Sequence, residues 1–231
     1  MEKRRFLVTG GSQGIGEAVV TLARRDGHDV VFTGRDKNRT DAVALKTGGY
    51  GICADVAEGR DNERTVQVCV ERMDGIDVLV NNAAFGYLEE VGAIDMERMR
   101  EVFDTNVFGL VDLSNRIVPL MKEQQAGDIV NIASTSGMKG GKTGSVYAGS
   151  KWALRGITQS WQAELRPHGI RVMSLCPSEV QTNWGGKTGR NNPNKLYAED
   201  IANTIMAAVG MRRSVLWPEL AIFAANPWKE S

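Results

Sequence analysis

The chain has 231 residues, 28 basic and 28 acidic side chains and 42% hydrophobic content, the profile of one α/β domain, a class that reaches roughly 200–250 residues. A formal charge of zero and a pI near 6.8 argue against nucleic acid as a partner. No apolar run of about 18 residues offers a membrane span, and MEKRRFLVTGGS lacks the apolar core of a secretory signal. Cys53, Cys69 and Cys176 are scattered without a C-x-x-C pair, which implies a reduced, cytoplasmic setting. His28 and His168 sit in the turns DGHD and RPHG; both read as solvated turn residues, and no metal site is expected.

Short β-branched runs alternate with helically periodic segments, the pattern of repeated βαβ units. Strands are predicted at 5–9, 30–33, 50–54, 77–80, 128–133, 170–175 and 214–217, and helices at 15–25, 39–46, 62–72, 96–122, 146–165 and 198–211. Right-handed crossovers then give a doubly wound parallel sheet with helices on both faces, a single domain over 1–231. The stretch 177–197, rich in Gly, Asn and Lys, is long for a connection and reads as a substrate loop.

Between the first strand and first helix stands T-G-x-x-x-G-x-G, with Gly10, Ser12, Gln13, Gly14, Ile15 and Gly16. Glycines there let the backbone approach a pyrophosphate, and the helix N-terminus adds unpaired N–H groups. GGKTG occurs at 140–144 and 185–189, but Ser136 and Gln181 stand where a triphosphate loop needs its first glycine, so both read as flexible loops. At the end of the second strand, VVFTGRD, Gly34 takes the place of the acid that binds ribose in NAD enzymes, and Arg35 follows. A guanidinium suits a 2′-phosphate, so NADP(H) is preferred and NAD(H) remains possible through Asp36.

Tyr147 and Lys151 lie at i and i+4, on one helix face. A phenol acting near neutral pH must lose about 4 kcal/mol of its preference for the proton, and a nearby ammonium is the expected source. Together with T-G-x-x-x-G-x-G, N-N-A-A at 81–84, Asn106 and Ser134, Y-x-x-x-K makes the chain resemble the short-chain dehydrogenase/reductase family over about residues 4 to 182. The spacings match as well: 24 positions from Asn82 to Asn106, 28 to Ser134 and 13 to Tyr147. Two departures, Ala84 and Ser178, stand where the family carries glycine.

The resemblance implies a Rossmann-like oxidoreductase acting on a small carbonyl or alcohol without a metal. Tyr147 would exchange a proton with the substrate oxygen, Ser134 would hydrogen-bond that oxygen, Lys151 would lower the phenol and hold the nicotinamide ribose, and Asn106 would hold a water beside Lys151. By the same resemblance Asp55 and Val56 would meet the adenine, Asn82 and Ala83 the adenosine ribose, and Thr182 the carboxamide. A catalytically silent dinucleotide sensor or scaffold is the alternative, disfavoured by the intact Ser134, Tyr147 and Lys151. Pocket walls are expected from 85–88, 135–145 and 177–196. The helix carrying Tyr147 has an uncharged outer stripe, Ala148, Trp152, Gly156, Gln159 and Ala163, which predicts a homodimer or homotetramer.

Overall fold

Alternation along the strands decides the layering. In the computed structural model, which describes residues 2–182 and 192–226, β1 (Arg5–Val8) sends Phe6 and Val8 into one core and Leu7 into another, as a period of two requires. The first core is closed by α1 (Gly14–Arg25), α2 (Lys37–Thr47) and α7 (Ala198–Gly210), through Val19, Val43 and Ile205. The second is closed by α3 (Gly59–Met73), α5 (Leu110–Gln124) and α6 (Ser145–Leu165), through Cys69, Ile117 and Leu165.

Between these helical layers lies a seven-stranded sheet in the order β3-β2-β1-β4-β5-β6-β9. Its members are β1, β2 (Asp29–Gly34), β3 (Tyr50–Cys53), β4 (Val78–Asn81), β5 (Gly127–Ile132), β6 (Ile170–Pro177) and β9 (Glu219–Ile222). All six pairings are parallel, so this is a doubly wound, Rossmann-like sheet. Strand order reverses between β1 and β4, and the crevice above that point is where such sheets bind ligands.

Three expectations change. The last strand forms at Glu219–Ile222, not at 214–217, because Arg171 gathers the carbonyls of Met211, Arg212 and Val215 into a turn and Pro218 has no N–H to donate. The helix expected over 96–122 is α4 (Met96–Phe103), a π-helical segment (Asp104–Gly109) and α5. At the end of that segment Gly109 packs against the Val56 carbonyl, which any Cβ there would overlap. His28 is buried, not solvated: its ring packs on Phe6 with centroids 5.0 Å apart. Its Nδ1 accepts the Arg4 N–H at 3.2 Å, and burial holds its pKa below the usual imidazole range. The 177–197 stretch is pinned at its base, where β7 (Val180–Gln181) pairs with β8 (Leu196–Tyr197); residues 183–191, with the second GGKTG and Trp184, lie outside the described residues.

At the sheet's N-terminal edge the fully buried Asp128 pairs with three guanidinium groups. Arg171 meets it through two bonds of 2.7 and 2.8 Å, Arg4 at 2.7 Å and Arg213 at 2.8 Å.

Candidate active site

The glycine loop takes the shape its sequence demands. Gly10 and Gly14 adopt left-handed φ values of 63° and 56°, where an L side chain is strained. A Cβ on Gly16 would overlap the Gly10 carbonyl, so Gly16 packs behind the loop. Thr9 and Asn82 stitch the loop to the end of β4. The Thr9 hydroxyl accepts the N–H groups of Asn82 and Ala83, each at 3.0 Å, and Asn82 Nδ2 donates to the carbonyls of Thr9 at 2.9 Å and Gly10 at 3.1 Å. Gln13, the N-cap of α1, makes no side-chain cap bond, which leaves first-turn N–H donors for an anion or water.

A cavity of about 1150 Å³ runs from this loop across the sheet's carboxyl edge. Every site residue named from the sequence lines it except Gly16 and Asn106, and Ala84 and Ser178, the two departures, line it too. Of the expected walls, Thr135, Ser136, Pro177 to Thr182, Asn192 and Lys195 contribute, whereas 85–88 and Met138 are not among the lining residues. Among the described residues no group of His, Cys, Asp or Glu is placed to hold a metal ion, and no helix is long and apolar enough to cross a membrane.

Ser134 lies two residues past β5 and does two things. Its Oγ accepts the Ser136 N–H at 3.0 Å, capping the turn Thr135–Gly137, and it hydrogen-bonds the Tyr147 phenol. Burial pushes that phenol up to about 12. Lys151 is 2% exposed; its Nζ donates to the Ile132 carbonyl at 2.7 Å and lies 5.7 Å from the Tyr147 ring centroid. Burial pulls its pKa down to about 7. The expected lowering of the phenol by an ammonium is therefore reversed here, because desolvation acts on both groups and favours their neutral forms. Asn106, set in the π-helical segment, spends its side chain on the Phe85 peptide and on Ser150.

The second strand's end carries a residue that sequence reading passed over. Asp36 caps α2, taking the Arg39 N–H at 3.0 Å and the Arg39 Nε at 2.9 Å, and Arg39 Nη1 reaches Gln13 Oε1 at 2.7 Å. Arg39 lines the cavity beside Arg35, whose guanidinium sits 3.5 Å from Asp55. The signal was an Asp three residues before Arg39, an N-cap pattern that starts the helix at Lys37. A Cβ on Gly34 would stand 2.5 Å from the Ser12 and Thr40 hydroxyls, so an acid there would require those side chains to shift.

A parallel sheet in this order, a glycine loop at its switch point and a serine, tyrosine and lysine in one cavity define a Rossmann-type α/β oxidoreductase. Residues 4–193 match the short chain dehydrogenase family, and the chain belongs to that family. It is 31% identical over 211 residues to an uncharacterized oxidoreductase of Staphylococcus epidermidis, covering 90% of this chain and 92% of the relative. Among solved structures, the closed form of a serine dehydrogenase complexed with NADP+ superposes with a TM-score of 0.91 at 25% identity, covering 98% of this chain and 97% of the other. A short-chain dehydrogenase from Streptomyces avermitilis gives 0.85 at 26% identity, covering 96% and 88%.

Proposed function

We propose that this oxidoreductase moves a hydride between NADP(H), in preference to NAD(H), and a small carbonyl compound or secondary alcohol, with Tyr147 as general acid and base. The observation that carries the reading is the Ser134–Tyr147 hydroxyl pair above buried Lys151, in the same cavity as the glycine loop. That loop fits a dinucleotide: glycines stand where side chains would fill the cradle, and the open end of α1 suits a pyrophosphate. Asp55, Val56, Asn82, Ala83 and Thr182 line the remaining length of the cavity as adenosine and carboxamide contacts. When bound, the dinucleotide supplies or accepts the hydride.

The chain's residues supply the rest. Ser134 and Tyr147 hydrogen-bond the substrate oxygen and stabilise charge developing on it. In reduction Tyr147 passes its phenolic proton to that oxygen; in oxidation its phenolate form takes the alcohol's proton. A phenol held up at about 12 stays protonated at neutral pH, which suits reduction. Lys151 would hold the ribose hydroxyls of the bound dinucleotide, and Asn106, its side chain occupied by Phe85 and Ser150, would hold a water beside Lys151. NADP(H) preference rests on Arg35 and Arg39 in the cavity lining, on glycine in place of an acid at Gly34 and on Asp36 serving as a helix cap; the serine dehydrogenase neighbour carries NADP+.

One domain over 1–231 does this work. Residues Pro177 to Thr182, with Asn192 and Lys195, form the substrate side, and the substrate is a carbonyl on a mid-sized, partly apolar body. Three free cysteines suit a reducing, cytoplasmic compartment.

A carbonyl panel followed by NADPH absorbance tests the reaction. Tyr147→Phe should cut turnover by about 10²–10⁴-fold while NADPH binding persists; a variant near the wild-type rate refutes the assignment. Arg35→Ala should weaken NADPH by roughly 10–100-fold and leave NADH nearly unchanged. Tighter wild-type binding of NADH than of NADPH, by fluorescence titration, would remove the cofactor preference.

A further inference from the structure

Behind Tyr147 runs a closed ring of contacts made by residues that touch neither hydride nor proton. Asn106 is 1% exposed. Its Nδ2 donates to the Phe85 carbonyl at 2.8 Å and to Ser150 Oγ at 3.0 Å, and its Oδ1 accepts the Phe85 N–H at 3.0 Å. Ser150, fully buried, donates its hydroxyl to the Tyr147 carbonyl at 2.8 Å. These two hydrogen bonds to Asn106 fix the Phe85 peptide, and the next residue, Gly86, lies against the Tyr147 ring. A methyl group on Gly86 would stand 2.6 Å from ring Cδ2, 2.9 Å from Cγ and 3.0 Å from Cβ. The ring thus closes from the Tyr147 backbone through Ser150, Asn106, Phe85 and Gly86 to the Tyr147 side chain.

Each end of this circuit constrains a different part of one residue. Ser150 holds the backbone of the first turn of α6, and Gly86 supplies a flat, side-chain-free surface that the aromatic ring rests on. A phenol must reach hydrogen-bond distance of a substrate oxygen, and a displacement of about 1 Å costs on the order of 10²-fold in rate. From these contacts we infer that Ser150 and Gly86 are positioning residues, which act through Asn106 and Phe85 to set the depth and tilt of the Tyr147 ring. The inference rests on the reading of Tyr147 as the proton donor.

Ser150→Ala and Gly86→Ala test it with two readouts. One is the turnover of ethyl acetoacetate, the carbonyl probe, with NADPH; the other is the carbon-13 ring signal of Tyr147 in tyrosine-labelled protein, assigned by Tyr147→Phe. Both variants should lose roughly 10–100-fold in kcat with KM for NADPH unchanged, and both should shift the Tyr147 ring signal. Ser150→Thr, which keeps the hydroxyl, should recover much of the loss. Wild-type kcat together with a wild-type ring signal in both alanine variants overturns the inference. Cooperative melting checks each fold, and should Gly86→Ala fail it, Ser150→Ala, which only removes an oxygen, carries the test. If Tyr147→Phe is inactive while both variants keep full kcat, only the positioning role falls; if Tyr147→Phe stays active, the proton-donor reading falls and the ring signal alone judges the inference.

Discussion

Burial on one face of α6 acts on two ionisable groups in opposite directions. The Lys151 amine, held at about 7 against 10.5 in an open chain, gives up its proton in the folded state while the unfolded chain keeps it. Between those pH values the unfolded state binds more protons, so folding stability rises with pH, by at most about 1.4 kcal/mol per unit. Below pH 7 both states are charged and this contribution is gone. Lys151→Met lacks the titrating group. Urea melts at several pH values from 7 to 10 should show wild-type stability climbing relative to the variant, and parallel curves would contradict the burial argument. Tyr147 works with the other sign, since a phenol pushed up to about 12 keeps its proton longer when folded and lowers stability only as pH passes 10.

Among the elements, the π-helical turn at Asp104–Gly109 shapes the site most directly. It turns Asn106 into the core and brings the helix backbone against Val56, where Gly109 leaves room for the carbonyl. Gly109→Ala should therefore cost about 1–3 kcal/mol, the usual range for overpacking, measured as a lower urea midpoint at unchanged slope. Periodicity could not announce this turn, because the segments on either side keep helical spacing and a single wide turn leaves their apolar pattern intact. The first six strands were legible because each is an apolar, β-branched run bounded by turn residues. The seventh was not, since the neighbouring run at 214–217 matches the strand pattern as well and Glu219–Ile222 owes its place to pairing with β6. Among site residues, Ser134, Tyr147 and Lys151 announced themselves by spacing, whereas the Asn106–Ser150 bond joins positions 44 apart and leaves no local trace. Arg39 was missed when α2 was started two residues late.

On the scale of the whole molecule, the outer face of α6 is the candidate contact between copies. Trp152 is 50% exposed, Gly156 faces open space, and Gln159 and Ala163 are exposed; Ala148, expected on the same stripe, is buried instead. An exposed tryptophan beside small residues suits the core of a symmetric helix pairing. Light scattering at micromolar concentration should find a dimer or tetramer that dissociates when Trp152→Glu is combined with Ala163→Arg. A monomeric wild type would end the idea.

The carboxylate of Asp128 bears on when the protein can fold during its synthesis. Arg4 is made early, but Arg171 and Arg213 leave the ribosome only after most of the sheet has been translated. Until they arrive, closing the core around Asp128 would leave a buried charge with one partner instead of three, which is costly. The expected consequence is a growing chain that stays open at the base of the sheet until the segment after α7 is present. We predict that nascent chains stalled before Arg171 stay sensitive to protease along β5, while chains extended past Ile222 become resistant; early resistance in the short chains would show that the sheet closes without its arginines.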